Sequence, residues 1–278
     1  LQLAKALNLE PEGLSAQFYG LNHLSWIKKL VYDGKDIMPS ILQNPKLIAK
    51  VQALKVFDPE LLGLLQTIPN EYLYYYYHWE RALENIISSE YTRGETIEAI
   101  NKKMLETLKK VDIKKKPKEA LDIYYKYNSE RMNSYMSIET SKVKKSEELI
   151  EETDGYAGVA LDFIEAIQHG VVKEMVLSVP NEGSIEGMGY DDVVEITCEV
   201  GRGSIVPVKI GKIPQPMLLL MQQVKAYEKY TIKAIMEKSR KYAYIALMLH
   251  PLVGSYSIAK KLVDEYLELH KEYVGIWA

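Results

Sequence analysis

Apolar positions recur along this chain with two periods, and the helical one dominates. Leu1-Gln2-Leu3-Ala4-Lys5-Ala6-Leu7 reads as the interior of a helix with no capping residue before it, and Pro11-Glu12-Gly13 ends that region. A chain that opens inside an element is expected to have lost something upstream. From Phe18 to Tyr32 two apolar runs lead into Asp33-Gly34, a hairpin signal pointing toward Ile37, which predicts strand, turn and short strand. Ile41, Leu42, Leu47, Ile48, Val51 and Leu54 then follow a helical period, broken near Pro45. A short helix is expected over 59–65, and Pro69 opens the next segment.

Further along, Thr92 caps a helix, with Glu95 three residues later completing a capping box. Pro117 suits the first turn of the next helix, whose buried positions are expected to be Leu121, Tyr124, Tyr125, Met132, Tyr135 and Met136. Residues 142–152 are charged and read as exposed. A small-residue helix over 155–167 precedes a buried strand over 171–179. Residues 193–200 and 204–210 form a strand pair around Gly201-Arg202-Gly203. Helices over 216–238 and 240–249 follow, then a last one with Ile258, Leu262, Tyr266, Leu269 and Tyr273 on one face. No repeat or low-complexity linker interrupts the pattern. The expected fold is one helix-rich α+β domain over residues 1–278 with mostly antiparallel strands.

Composition excludes more than it assigns. With a net charge of −3, no global positive field attracts nucleic acid or an anionic membrane. No apolar run reaches the roughly 20 residues a membrane span needs. Cys198 is the single cysteine, so no intrachain disulfide can form, and a reducing cytoplasm is the expected location. Cys198 itself sits in an apolar strand with no histidine nearby and reads as a buried residue. No phosphate-binding glycine loop, Walker loop or nucleophile elbow is present; Gly201-Arg202-Gly203 lies between strands and reads as a hairpin turn.

Two segments hold candidate chemistry. His23, Asn22 and Gly20 stand near the start of a strand, where a backbone can approach a ligand closely, although a lone histidine is more often structural. Residues 68–79 hold five tyrosines in six positions; on one helix Tyr72, Tyr75, Tyr76 and Trp79 would share a face. Most of them read as amphipathic packing, while Tyr72, just after the Pro-led helix start, is a candidate base. A phenol acting as a base at neutral pH must be brought down from about 10 to about 7, near 4 kcal/mol, and a helix N-terminus and a divalent cation both push that way.

Gly20-Leu21-Asn22-His23-Leu24-Ser25-Trp26 followed by Pro69-x-x-Tyr72-Leu73-x-Tyr75-Tyr76 resembles the paired motifs of glycoside hydrolase family 4, closest to its 6-phospho-β-glucosidases. Asn181-Glu182-Gly183-Ser184-Ile185, Val194-Glu195-Ile196-Thr197-Cys198 and His250-Pro251-Leu252-Val253 fit the same pattern, so the resemblance covers nearly the whole chain. It implies the C-terminal domain shared in outline with lactate dehydrogenase-like enzymes. It also implies glycoside cleavage by NAD⁺-dependent oxidation at C3, proton removal at C2 and elimination at C1, with Mn²⁺ or another divalent metal on the C2 and C3 oxygens. His23 is then the metal ligand and Tyr72 the base. Asn22 orients the metal or a sugar hydroxyl, and Asn181 either touches substrate or holds its turn. A phosphorylated disaccharide or β-glucoside is the implied substrate, and a homodimer or homotetramer the implied assembly.

The departures define what this chain can do alone. The family's second metal ligand, a cysteine in a Cys-Asn-x-Pro stretch just before a helix like that of residues 1–7, and its dinucleotide-binding domain are absent from this chain. Thr153-Asp154-Gly155-Tyr156 replaces the Arg-Gly-Gly of many members, a departure that leaves the phosphate requirement open; Arg93 and Arg131 are candidate substitutes. The isolated chain is therefore expected to be inactive. The alternative is a stand-alone, non-catalytic module for oligomerisation or sugar-phosphate binding. The substrate domain of a 2-hydroxy-acid dehydrogenase finds no support, for want of its histidine, aspartate and arginine set.

Overall fold

The computed structural model describes residues 2–48, 51–140 and 156–278. Its contacts divide the chain into two compact units, Leu1–Tyr76 with Ala160–Ala278, and Tyr77–Val159. Sequence periodicity, which predicts one domain, carries no signal for that division.

In the first unit, α1 (Gln2–Leu7) leads into a long hairpin of β1 (Leu14–Leu21) and β2 (Leu24–Tyr32), continued by β3 (Lys35–Asp36). The expected Asp33-Gly34 turn is present, with positive φ at both residues (47° and 75°), as a two-residue hairpin of the right twist requires. Short helices α2 (Met38–Leu42), α3 (Pro45–Ile48) and α4 (Pro59–Leu65) follow, where one helix broken near Pro45 is expected. Then come β4 (Ile68–Pro69), a 3₁₀ turn over Glu71–Leu73 and α5 (Tyr74–Tyr77).

The tyrosine segment is therefore not one helix. A strand, a 3₁₀ turn and α5 end at His78, whose φ of −127° and ψ of 38° break the helical path before α6 (Trp79–Ser88). The common face expected for Tyr72, Tyr75, Tyr76 and Trp79 does not form; Tyr74 is the buried tyrosine, and Trp79 is 58% exposed.

The second unit holds α6, α7 (Arg93–Leu108) and α8 (Pro117–Asn133). Thr92 and Glu95 make the reciprocal capping box, with the Thr92 hydroxyl accepting from Glu95 N–H and the Glu95 carboxylate accepting from Thr92 N–H. Of the positions expected to be buried here, Leu121, Tyr124, Tyr125 and Met132 are exposed and Tyr135 is half-buried; Met136, beyond the helix, is buried as expected, as is Ala120 on α8.

The first unit resumes at Ala160, within α9 (Tyr156–His169), and continues with β5 (Lys173–Pro180), β6 (Val193–Gly201) and β7 (Ser204–Pro207). The sheet runs β3-β2-β1-β6-β5, all antiparallel, with β4 joined to β2 and β7 to β6. Positive φ at Arg202 and Gly203 closes the β6–β7 hairpin, so Gly201-Arg202-Gly203 is the turn it was expected to be. β5, an edge strand, alternates half-buried and exposed residues instead of being buried throughout, as a strand with one open face does.

Packed core residues of this unit include Tyr19, Trp26, Leu30, Val194, Ile196 and Cys198, with Tyr19 stacked on Trp26 at 5.6 Å between ring centroids. Helices α10 (Gln215–Glu237), α11 (Arg240–Leu249), α12 (Tyr256–Leu269) and α13 (Lys271–Val274) complete the chain. On α12 the packed residues are Ala259 and Val263, and the larger apolar stripe of Ile258, Tyr266 and Leu269 is exposed.

The β1–β2 ladder contains one irregularity that governs the end of the hairpin. Leu14 faces Tyr32 and Gln17 faces Lys29, but Phe18 faces Ile27, so Lys28 is an extra residue in β2. Beyond this bulge Gly20 faces Ser25 and Leu21 faces Leu24, leaving only Asn22 and His23 in the turn.

Candidate metal and sugar site

The turn at the tip of this hairpin is unusual. Two-residue hairpins normally take positive φ at both central residues or at the first, for which glycine, asparagine and aspartate are suited. Here His23 takes a φ of 60°, whereas Asn22 does not enter the left-handed region. Histidine is one of the few side chains enriched there, yet a sparsely populated backbone state costs about 1–3 kcal/mol and tends to mark functional positions. Gly20 permits the closure beneath it: its φ is 155°, and a Cβ would lie 2.4 Å from the Leu24 carbonyl oxygen and from Ser25 Cα.

The second motif is held against this turn by backbone pairing. In β4, Pro69 faces Trp26 and Ile68 faces Ile27, a short edge segment where the missing proline N–H is tolerated. Asn70 N–H donates to the Ser25 carbonyl at 2.8 Å, and Asn70 Oδ1 caps the 3₁₀ turn by accepting from Tyr72 N–H at 2.9 Å. Buried Leu73 anchors the same turn. The result places the Tyr72 ring 4.5 Å from the His23 ring, nearly edge to face at 72°. Pro69-x-x-Tyr72 is thus a positioning device, with Asn70 as its working residue.

Of the four residues singled out in the sequence, three gather here. Asn22 and His23 are exposed and Tyr72 is half-buried, an arrangement open to a ligand. Asn22 donates from Nδ2 to Glu195 Oε1 at 3.4 Å, across the point where Gly20 and Glu195 pair. Glu195 was missed in the sequence; its signal is a carboxylate at an otherwise apolar stretch of strand.

Asn181 does not join them. It is fully buried, its Nδ2 donates to the carbonyls of Ile185, Met188 and Gly189 (3.2, 3.2 and 3.1 Å), and its Oδ1 accepts from Ile185 N–H at 2.7 Å. Of the two roles open to it, holding the turn is the one its amide performs.

Cys198 is buried as expected, and burial pushes its thiol up from the ordinary range. Arg93 is engaged inside the second unit, donating to Ser134 Oγ at 2.9 Å and lying over the Tyr135 ring. Residues 153–155 of the segment replacing Arg-Gly-Gly lie outside the described residues, as does the charged 142–152 stretch.

The donor set fits one corner of a divalent cation's shell. His23 supplies an imidazole nitrogen and Asn22 an amide oxygen, both acceptable to a metal such as Mn²⁺. No group of three histidine, cysteine, aspartate or glutamate side chains able to hold a metal occurs among the described residues.

A helix-rich α+β fold that brings an imidazole and a phenol together at one hairpin tip matches a defined class. Residues 18–253 match the family 4 glycosyl hydrolase C-terminal domain, and the chain belongs to that family. Among its relatives, the maltose-6′-phosphate glucosidase MalH of Clostridium acetobutylicum is 30% identical, over 98% of this chain and 59% of that protein. The 6-phospho-β-glucosidase BglT of Thermotoga maritima is 29% identical, over 99% of this chain and 59% of its own length. A structure of the 6-phospho-β-glucosidase from Thermotoga maritima with manganese, NAD⁺ and glucose-6-phosphate superposes with a TM-score of 0.72 at 28% identity, covering 98% of this chain and 57% of that one. The chain thus spans under three fifths of the length of the relatives it matches. None of its described helices is long and apolar enough to cross a membrane.

Proposed function

We propose that this chain is the C-terminal domain of a cytoplasmic, NAD- and Mn²⁺-dependent 6-phospho-β-glucosidase acting on a phosphorylated disaccharide or β-glucoside. The observation that carries the reading is the His23–Tyr72 contact at the Asn22-His23 turn, in a chain that belongs to this family. His23 would offer its imidazole lone pair to the metal, and Asn22 its amide to the metal or a sugar hydroxyl. When bound, the nicotinamide cofactor and the cation supply oxidation at C3 and polarisation of the C2 and C3 oxygens.

Tyr72 then has one task. Its phenolate oxygen takes the proton from C2, and the electron pair left behind expels the aglycone oxygen from C1. The cap from Asn70 fixes the backbone that carries the Tyr72 ring beside His23. No pair of carboxylates is required at a site built on an imidazole and a phenol. Exposed Tyr256, Ile258, Tyr266, Leu269 and Tyr273 support assembly into a homodimer or homotetramer.

The test is reconstitution. This chain, combined with the N-terminal portion of its Thermotoga maritima relative, NAD⁺, Mn²⁺ and a 6-phospho-β-glucoside, is expected to release the aglycone, and neither part is expected to do so alone. Cleavage by the complex of Tyr72→Phe at the unaltered rate, or a verified complex without activity, would overturn the reading.

A further inference from the structure

Strand β6 touches the hairpin that carries His23 at a place where the ladder changes hands. Tyr19 pairs with Ile196 and Gly20 with Glu195, but the β1–β6 register stops there. Continued one step, it would set Phe18 against Thr197. Instead β7 takes over the same edge of β6, beginning at Cys198 with Pro207, and Val208 N–H donates to the Thr197 carbonyl at 2.9 Å. At this junction β1 peels away, leaving Phe18 N–H and the Ala16 carbonyl without backbone partners on β6.

The Thr197 hydroxyl fills the gap. It accepts from Phe18 N–H at 2.9 Å and donates to the Ala16 carbonyl at 3.1 Å, from a side chain that is 3% exposed. A hydroxyl can do both at once, which an apolar isostere cannot. The two groups it holds flank Gln17, and the β1–β2 register shifts between Gln17 and Phe18.

That shift sets the tip. Had the register of Leu14–Tyr32 continued, Leu21 would face Ser25, and Asn22, His23 and Leu24 would form a three-residue turn. The bulge shortens it to Asn22 and His23 and gives His23 its left-handed backbone. Two residues along β6, Glu195 makes a second hold by accepting from Asn22 Nδ2.

We propose that Thr197, seconded by Glu195, is a positioning residue that sets the bulge and thereby the placement of His23 and Asn22 against Tyr72. It touches neither metal nor sugar; it acts through the backbone of β1. The functional part of this inference rests on the metal-site reading above, whereas the geometric part does not.

Imidazole-labelled chain gives five histidine signals for NMR, that of His23 carrying the ring current of Tyr72. Tyr72→Leu defines the His23 signal without that ring. In folded Thr197→Val the His23 signal is expected to move toward the Tyr72→Leu position, while those of His169 and His270 stay in place. Thr197→Ser, which keeps the hydroxyl, should restore it. The Mn²⁺ concentration that half-broadens the His23 signal should rise about tenfold in Thr197→Val, as for loss of an outer-shell partner.

An unmoved His23 signal in folded Thr197→Val, or a serine variant no better than valine, overturns the proposal. If the valine variant does not fold, Glu195→Ala, which removes the acceptor for Asn22 at a half-exposed position, decides: a moved His23 signal supports the hold by β6, and an unmoved one overturns it. Failure of Mn²⁺ to broaden His23 in the unaltered chain would sink the metal-site reading, and the ring-current comparison would still decide the role of Thr197.

Discussion

Tyr72 and Asn181 are both polar residues in motifs, but their surroundings assign them opposite duties. Tyr72 is half-buried at a surface turn beside an exposed imidazole, and Asn181 is sealed among four backbone groups. In the reconstituted enzyme, Tyr72→Phe is expected to lower kcat by about 10²–10⁴-fold, the range for losing a general base, with the urea midpoint nearly unchanged. Asn181→Leu should do the reverse. It strands the Ile185 N–H and three carbonyls, and is expected to cost about 3 kcal/mol in urea unfolding. Retained stability in Asn181→Leu would contradict the turn-holding role. The candidate site was legible in the sequence at this scale through two motifs, yet nothing local distinguishes a motif residue that faces a ligand from one that locks a loop. Only burial does.

Elements with local signals were legible as well. Thr92 with Glu95, Asp33-Gly34 and Gly201-Arg202-Gly203 each contain the chemistry of their own cap or turn, and each forms as expected. Thr92→Ala should cost about 1 kcal/mol by loss of the cap, checked by urea unfolding. The hairpin tip was not legible, because its register depends on Thr197, far along the chain, and its left-handed residue is a histidine. Gly20→Ala is expected to destabilise by about 2–3 kcal/mol, since its Cβ would enter the facing strand.

At the end of α11, burial lowers the His250 imidazole below its usual range, and its Nδ1 accepts from Leu252 N–H at 3.2 Å. The unfolded chain therefore binds this proton more readily than the folded one. The stability contributed is complete above the unfolded value of 6.5 and is lost as pH falls through it toward the lowered folded value. Urea midpoints at about pH 7.5 and about pH 5.5 should differ, and the difference should shrink in His250→Gln.

For the whole molecule, amphipathic periodicity locates helices but not their partners. The stripes on α8 and α12 were expected to be buried or shared one face, and they are exposed; apolar residues awaiting another surface and apolar residues in a core share one pattern. Sedimentation equilibrium should accordingly give two or four times the 31.8 kDa chain mass, and a monomer would contradict the proposed assembly.

The division into two units was equally absent from the sequence, since Tyr77 and Val159 bear no linker composition. What the described residues hold at the β1–β2 tip is a phenol and an imidazole side by side. In the proposed reaction Tyr72 removes the sugar's C2 proton. That claim is tested most directly by running the reconstituted reaction in D₂O and locating deuterium in the sugar product by NMR. Deuterium at C2, lost together with cleavage in Tyr72→Phe, is the predicted result; cleavage that leaves C2 fully protonated would contradict it.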